Sequence, residues 1–240
     1  MPDSTPLSTM KVFHLPGAWG LPTVSPFCLK LDAWLRMTGI QHESRTVATP
    51  FAGPKSKAPW IQIDGTKLGD STFIIAYLTE RFGIDPDEEL TAEQRGMAVA
   101  IQRLIDENLY WTMVHDRWVH EGNWRTFRDV VLGGLPLPQR RLLGPIARRG
   151  VKKQLSGHGM GCHSAEEVAM IGQRDVAALA AILGPKPWFF GGQPTSTDAV
   201  VYAQLINIWH PPLESEVKRA IGEQPNLVGF LDRFKARFYP

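Results

Sequence analysis

Ser25-Pro26-Phe27-Cys28 sets a hydroxyl and a thiol three residues apart where a loop turns into a helix. A helix N-terminus offers unsatisfied amides and the positive end of its dipole, which favour an anion by up to about 2 kcal/mol. A thiolate, on the protein or on a ligand, is an anion that such a pair could serve. The same residues also make ordinary helix-start chemistry, because Ser is a preferred cap and Pro a preferred first helical residue. Cys28, in the first turn, is either a thiol of lowered pKa or a small apolar residue turned to the core beside Phe27; position alone favours the second. Ser-x-x-Cys has the spacing of a redox dithiol with one sulfur replaced by oxygen, so no intramolecular dithiol cycle can run there.

Other groups have chemistry within reach. Asp70-Ser71 begins a helix, and a carboxylate beside free helix amides suits a zwitterion such as an α-amino acid group. As a cap alone, Asp70 is equally well explained. Ala58-Pro59 opens a strand, where a cis bond would turn the Ala58 backbone toward an extended ligand, although cis is the minority form of X-Pro. Trp111, Val114, His115 and Trp118 share one helix face, followed by Trp124 and Phe127. Such a stripe is core or the wall of an apolar pocket. His115 has no Cys or His at metal-ligand spacing, so no metal is expected. Arg140, Arg141, Arg148, Arg149, Lys152 and Lys153 fall in a stretch, Val130 to Ala165, that has no acidic residue. It reads as a solvated basic face, or as a surface for phosphates or anionic lipid. Gly144, Pro145 and Gly150 are expected to keep it from forming one clean amphipathic helix.

The elements that must position these residues differ along the chain. Lys11–Leu15 is a short strand ended by Pro16-Gly17. A helix from Pro26 carries Phe27, Leu31, Trp34 and Leu35 on one face and stops at Gly39. Ile40–Val47 supplies a second strand and completes a βαβ unit. Trp60–Ile63 and Thr66–Leu68 flank Asp64-Gly65, a tight-hairpin signal, and Ser71 to Phe82 is again helical. Residues 11–82 thus predict one mixed sheet with packed helices, after a loose tail at 1–10 in which Met10 could be an alternative start. Residues 83–92 read as a linker and 93–240 as all-helical. Three helix starts there carry a capping box: Thr91 with Gln94, Ser164 with Glu167, and Thr195 with Asp198. The helix behind Thr195 has a mixed face, so its neighbours must define its packing. A last helix spans Asn226 to Arg237.

Composition bounds the rest. The chain has 240 residues, 43% hydrophobic and 21% charged, which excludes a disordered chain, a collagen or a coiled-coil rod. A net charge of +2 gives no compositional case for nucleic acid. Two cysteines make neither a disulfide framework nor a closed zinc site and suit a reducing compartment. No apolar run reaches the roughly 18 residues a membrane span needs, and the polar first ten residues lack a signal-peptide core. A cytoplasmic location is expected.

Taken in order, Ser25-Pro26-Phe27-Cys28, Ala58-Pro59-Trp60-Ile61, Asp70-Ser71-Thr72 and Thr195-Ser196-Thr197-Asp198 resemble the glutathione transferase superfamily, over nearly the whole chain after residue 10. SPFCLKLDAWLRMTGI and GMGCHSAEEVAMIGQRDVAALAAILGPKPWFFGGQPTSTDA resemble its failed-axon-connections and metaxin-like branch. The resemblance implies an α/β thioredoxin-like N-terminal domain plus an all-α C-terminal domain, with glutathione as co-substrate. It implies that Ser25, or alternatively Cys28, acts on the glutathione sulfur. Ala58, before cis-Pro59, would pair with the cysteinyl backbone, Asp70 and Ser71 would hold the γ-glutamyl end, and Lys57 would reach the glycyl carboxylate. A small apolar electrophile would lie near Tyr110, Trp111 and His115. The implied activity is transfer of the glutathione thiolate to that electrophile by a homodimer. Two alternatives stand beside it: a non-catalytic adaptor using the Arg140–Lys153 surface for a protein or membrane partner, and a glutathione-dependent thiol-disulfide or peroxide reductase using Cys28.

Overall fold

Val12 and Ile61 lie opposite each other on paired strands and are both buried, so the sheet is anchored at its centre by aliphatic contact. The computed structural model describes residues 10–240. It divides into two units, Met1–Pro86 and Asp87–Pro240. In the first, strands β1 (Lys11–His14), β2 (Glu43–Thr46), β3 (Trp60–Ile63) and β4 (Thr66–Gly69) form one sheet in the order β2-β1-β3-β4. β1 runs parallel to β2 and antiparallel to β3, and β3 and β4 form a hairpin. Its turn is Asp64-Gly65, with φ of 48° and 77°. Both values are positive, as a two-residue loop matched to strand twist requires.

Helix α1 (Pro26–Thr38) crosses between β1 and β2, and α2 (Ser71–Phe82) follows the hairpin. Each ends on a left-handed glycine: the Gly39 amide donates to Leu35 O and the Gly83 amide to Thr79 O. Leu31, Trp34 and Leu35 are buried on α1, and Ile74 and Leu78 on α2. The first domain is therefore the small mixed sheet with packed helices that the sequence predicts. β2 is shorter than Ile40–Val47, because Ile40 is buried ahead of the strand while Gln41 and His42 only lead into it. Of the expected tail, residues 1–9 lie outside the described residues. Met10 belongs to the fold: it is buried, and its carbonyl accepts from Glu43 N at 2.8 Å.

The second unit is helical, with α3 (Ala92–Arg103), α4 (Tyr110–Trp118), α5 (Glu121–Val131), α6 (Leu137–His158), α7 (Ala165–Leu183), α8 (Ser196–Trp209), α9 (Glu216–Gly222) and α10 (Pro225–Phe238). All three predicted capping boxes form. A π turn over Leu104–Leu109 joins α3 to α4. Widening a turn redirects carbonyls, and Leu109 O is taken up by Thr112 Oγ1 at 2.8 Å and by Gln204 Nε2 at 3.5 Å from α8.

Helix α6 differs from expectation by running unbroken through Gly144, Pro145 and Gly150. Gly144 is buried, and a Cβ there would make ordinary contact, 3.5 Å from Leu132 and 3.8 Å from Trp124. Pro145 stands on the exposed side, where water can satisfy the carbonyl it leaves unbonded.

Helix α8 is buried on nearly every side, from Thr197 to Ile208. An all-round apolar helix belongs at the centre of its unit, and α3, α9 and α10 pack on it. Asp198 holds its start: the carboxylate accepts from Thr195 N at 2.7 Å, from Thr195 Oγ1 at 3.0 Å and from Phe189 N at 2.9 Å. Phe189 and Trp188 then meet Phe230 edge-on, and Tyr202 stacks on Phe234 at 4.2 Å.

Burial pushes the Asp198 carboxyl up to about 6 from 3.8, against the pull of its donors. The folded chain therefore binds this proton more tightly than the unfolded chain. The contribution is fully present below pH 3.8 and is lost as pH rises through about 6. Asp198→Asn is expected to flatten that part of the stability profile in urea unfolding. Asp198→Ala, which orphans the Thr195 and Phe189 amides, is expected to cost about 3 kcal/mol at neutral pH; an unchanged urea midpoint would refute this role.

Candidate active site

Ser25 has extended φ and ψ (−98°, 118°), and its Oγ accepts from Cys28 N at 3.4 Å, closing the first turn of α1. Its own amide donates to Thr23 Oγ1 at 3.3 Å. A hydroxyl oxygen that accepts an amide retains an O–H that can donate. Ser25 is half-buried, whereas Thr23 behind it is buried.

Cys28 is only 2% exposed. Burial pushes its thiol pKa up, more than Ser25, the Leu15 backbone and Thr23 pull it down. Of the two readings of Cys28, this agrees with the small apolar residue that position favours: a sulfur turned into the core cannot profit from the helix dipole while its charge is desolvated. Cys162, by contrast, is exposed, and both cysteines are free.

The Ala58–Pro59 bond is cis. Pro59 O accepts the Asp70 amide at 3.3 Å, so the entry to β3 and the start of α2 are joined directly. Gly53 makes this approach possible, because a Cβ there would stand 2.3 Å from Lys57 O and 2.6 Å from the Trp60 ring. Lys57 is exposed and Ala58 half-buried.

Asp70 caps α2 through Oδ1, which accepts from Thr72 N at 3.0 Å. Its φ of 83° is a left-handed value on a residue with a Cβ, a conformation that costs about 1–3 kcal/mol and gathers at ligand sites. Asp70 is exposed, while Ser71 beside it is buried.

One residue was missed in the sequence. Lys30 is 3% exposed, and its ammonium lies 3.3 Å from Thr72 Oγ1 and 5.5 Å from the centre of the Phe27 ring. It brings a cation from α1 to the first turn of α2. The signal was present, since Lys30 falls three residues after Phe27 on the otherwise apolar face. Ser25, Ala58, Pro59, Asp70 and Ser71 therefore sit on connected parts of one unit.

Tyr110, Trp111 and His115 belong to the second unit. Tyr110 meets Trp111 edge-on at 5.3 Å, and Trp111 stacks on His158 at 4.5 Å. Both are half-buried against a cluster containing Val114, Leu155, Met160 and Val168. His115 is buried, with Nδ1 4.0 Å from Asp116 Oδ1. Trp118 stacks on Trp124 at 4.9 Å and meets Phe127 edge-on, so this part of the stripe is core. Arg117 lies among these rings, 5.0 Å from Phe127, and donates to Asn207 O at 2.6 Å; burial lowers its pKa to about 10. Among the described residues no group of His, Cys, Asp or Glu has a metal-binding arrangement.

A mixed sheet carrying a helix-start hydroxyl, a cis-proline strand entry and a left-handed acidic cap, followed by a helical domain, defines the glutathione transferase fold. The Glutathione S-transferase N-terminal domain matches residues 26–123 and the Glutathione S-transferase, C-terminal domain matches residues 172–234. The chain belongs to the glutathione S-transferase family. It is similar to the isoprene-epoxide–glutathione S-transferase of Rhodococcus sp. (strain AD45), with 35% identity across 92% of this chain and 95% of that protein. It is 33% identical to Failed axon connections of Drosophila melanogaster, across 92% of this chain and 56% of that longer protein. Metaxins match as well, at lower identity, which places the chain near the failed-axon-connections and metaxin branch. A glutathione S-transferase of Methylobacterium radiotolerans, solved in complex with glutathione sulfonate, superposes with a TM-score of 0.61 at 18% identity, over 96% of this chain and 92% of that one.

The burial of Cys28 has a direct test. Maleimide is expected to label Cys162 alone in the folded protein and both cysteines after denaturation, read by intact mass. Labelling of Cys28 at the rate of Cys162 would overturn its assignment to the core.

Proposed function

We propose that this chain conjugates glutathione to a small apolar epoxide. The observation that carries the proposal is Ser25, a half-buried hydroxyl at the start of α1 whose oxygen accepts from the first turn of the helix. The 35% identical relative, named for the conjugation of isoprene epoxide with glutathione, supports the choice of electrophile.

In this reading the Ser25 O–H donates to the glutathione sulfur and stabilises it as thiolate. Each pKa unit by which the thiol is lowered corresponds to about 1.4 kcal/mol of preference for the anion. The thiolate attacks an epoxide carbon, a C–S bond forms as the C–O bond breaks, and the alkoxide takes up a proton equivalent to the one the thiol released. Ala58, held by cis-Pro59, pairs with the cysteinyl backbone. The Asp70 carboxylate takes the γ-glutamyl ammonium, and Ser71, in the first turn of α2, takes the α-carboxylate. Lys57 pairs with the glycyl carboxylate. Tyr110 and Trp111, which keep exposed ring surface, are assigned to the electrophile. Cys28 is left out of the chemistry, which weighs against a thiol-disulfide or peroxide reductase.

The proposal includes a homodimer in the cytoplasm. It is supported by large apolar residues left at the surface: Phe51 and Phe73 in the first unit, Met97 and Val99 in the second. Among the described residues no helix is long and apolar enough to cross a membrane.

Calorimetric titration of reduced glutathione, paired with turnover on a small epoxide, tests the reading. Ser25→Ala is expected to retain glutathione binding and to cut turnover about 10²-fold, the scale of a lost proton-handling group. Asp70→Ala is expected to weaken glutathione binding about tenfold or more, by loss of a charge-assisted contact. No heat at millimolar glutathione would sink the proposal, and unchanged turnover in Ser25→Ala would remove Ser25 from it.

A further inference from the structure

Helix α6 sorts the basic stretch into two kinds of residue. Arg140 and Arg148 face the protein. Arg140 donates to Leu135 O at 2.6 Å and to Gly133 O. Arg148 donates to Trp118 O at 2.8 Å and Val119 O at 2.9 Å, and pairs with Glu121 at 2.7 Å. They fasten α6 to the ends of α4 and α5. Arg141, Arg149, Lys152 and Lys153 are exposed.

The exposed face is not only basic. Leu142, Ile146, Arg149 and Lys153 recur at i, i+4, i+7 and i+11, which places them on one stripe opposite buried Gly144 and Leu155. Leu142 is 67% and Ile146 60% exposed. Arg141 and Lys152 flank the stripe, and no acidic side chain occurs between Val130 and Ala165 to neutralise it.

We propose that this face of α6 lies on an anionic lipid surface. Charge complementarity and the aliphatic stripe select that occupant together. A helix with aliphatic and cationic residues interleaved on its outer face can set the aliphatics at the acyl boundary while Lys and Arg stems extend to the headgroups. A second copy of the chain would bring this acid-free cationic face against its own like charges. A nucleic acid would take the cations and leave Leu142 and Ile146 without apolar contact. The proposal stands apart from the glutathione site, since it uses residues of α6 that have no role in it.

Co-sedimentation of the full chain with vesicles tests it, using phosphatidylcholine alone and phosphatidylcholine mixed with phosphatidylserine. Binding is expected only to the mixed vesicles and is expected to fall as salt rises. Arg149→Gln with Lys153→Gln is expected to weaken it about thirty-fold, from about fivefold per cation. Leu142→Gln with Ile146→Gln is expected to weaken it as well, which separates an interfacial helix from a purely ionic contact. Each altered residue is exposed, so thermal unfolding should be unchanged, and this confirms that the variants fold. Equal binding to both vesicle types, binding to neither, or parent-like binding by the charge variants would each overturn the proposal. Capture by an acidic polypeptide such as polyglutamate without vesicle binding would overturn it in favour of a protein partner.

Discussion

The second unit depends on a single buried carboxylate. Asp198 gathers the Thr195 and Phe189 amides at the point where an extended segment becomes α8. A helix buried on nearly all sides cannot leave its first amides to water, so the cap must come from within the chain. The same constraint holds further along. Gln204 reaches Leu109 O in the π turn, and Asn207 receives Arg117 from α4. Gln204 and Asn207 thus fix the rotation of α8 against the π turn and α4, which apolar contact alone would leave loosely specified. Asp87 adds a further tie by accepting the Ser196 amide at 2.8 Å.

The first unit uses helix starts differently. At α1 and α2 the caps are Ser25 and Asp70, and neither is buried as Asp198 is. Partial exposure is what a ligand site needs, since the cap keeps valence for a second partner. Lys30 adds a cation to the first turn of α2. Thr72, which receives Lys30, also donates its amide to Asp70. The strained φ of Asp70 is therefore held from both sides, by Pro59 on the strand and by Thr72 on the helix.

Much of this architecture was legible from residue order. Capping boxes could be read because both partners lie within three residues of each other. The Asp64-Gly65 turn could be read because its backbone demands two positive φ values. The positions of Ser25 and Asp70 followed from the same local logic. What could not be read was set by distant partners. One donor to the π-turn carbonyl of Leu109, Gln204, lies far along the chain. The side on which Cys28 lies depends on burial around Leu15 and Thr23. His115 shares a periodic face with Trp111, yet one is buried and the other is half-buried.

Helix α6 shows how a local rule can be outweighed. Two glycines and a proline oppose a helix by propensity, at a cost of about 1 kcal/mol for each glycine and more for the proline. Arg140 and Arg148 offset this by tying the first turn and the middle of the helix to backbone carbonyls of the loop after α5 and of the end of α4. Those carbonyls need donors once their helices end. Gly144 is buried against Leu132 and the Trp124 ring, at distances where a Cβ would make ordinary contact. A helix fastened along one edge in this way has little need of apolar contacts on the other. Its outward Leu142 and Ile146 therefore do not serve the fold of this unit, and the cations around them are not used to balance charge within it. A surface whose composition folding does not explain is shaped by what it meets.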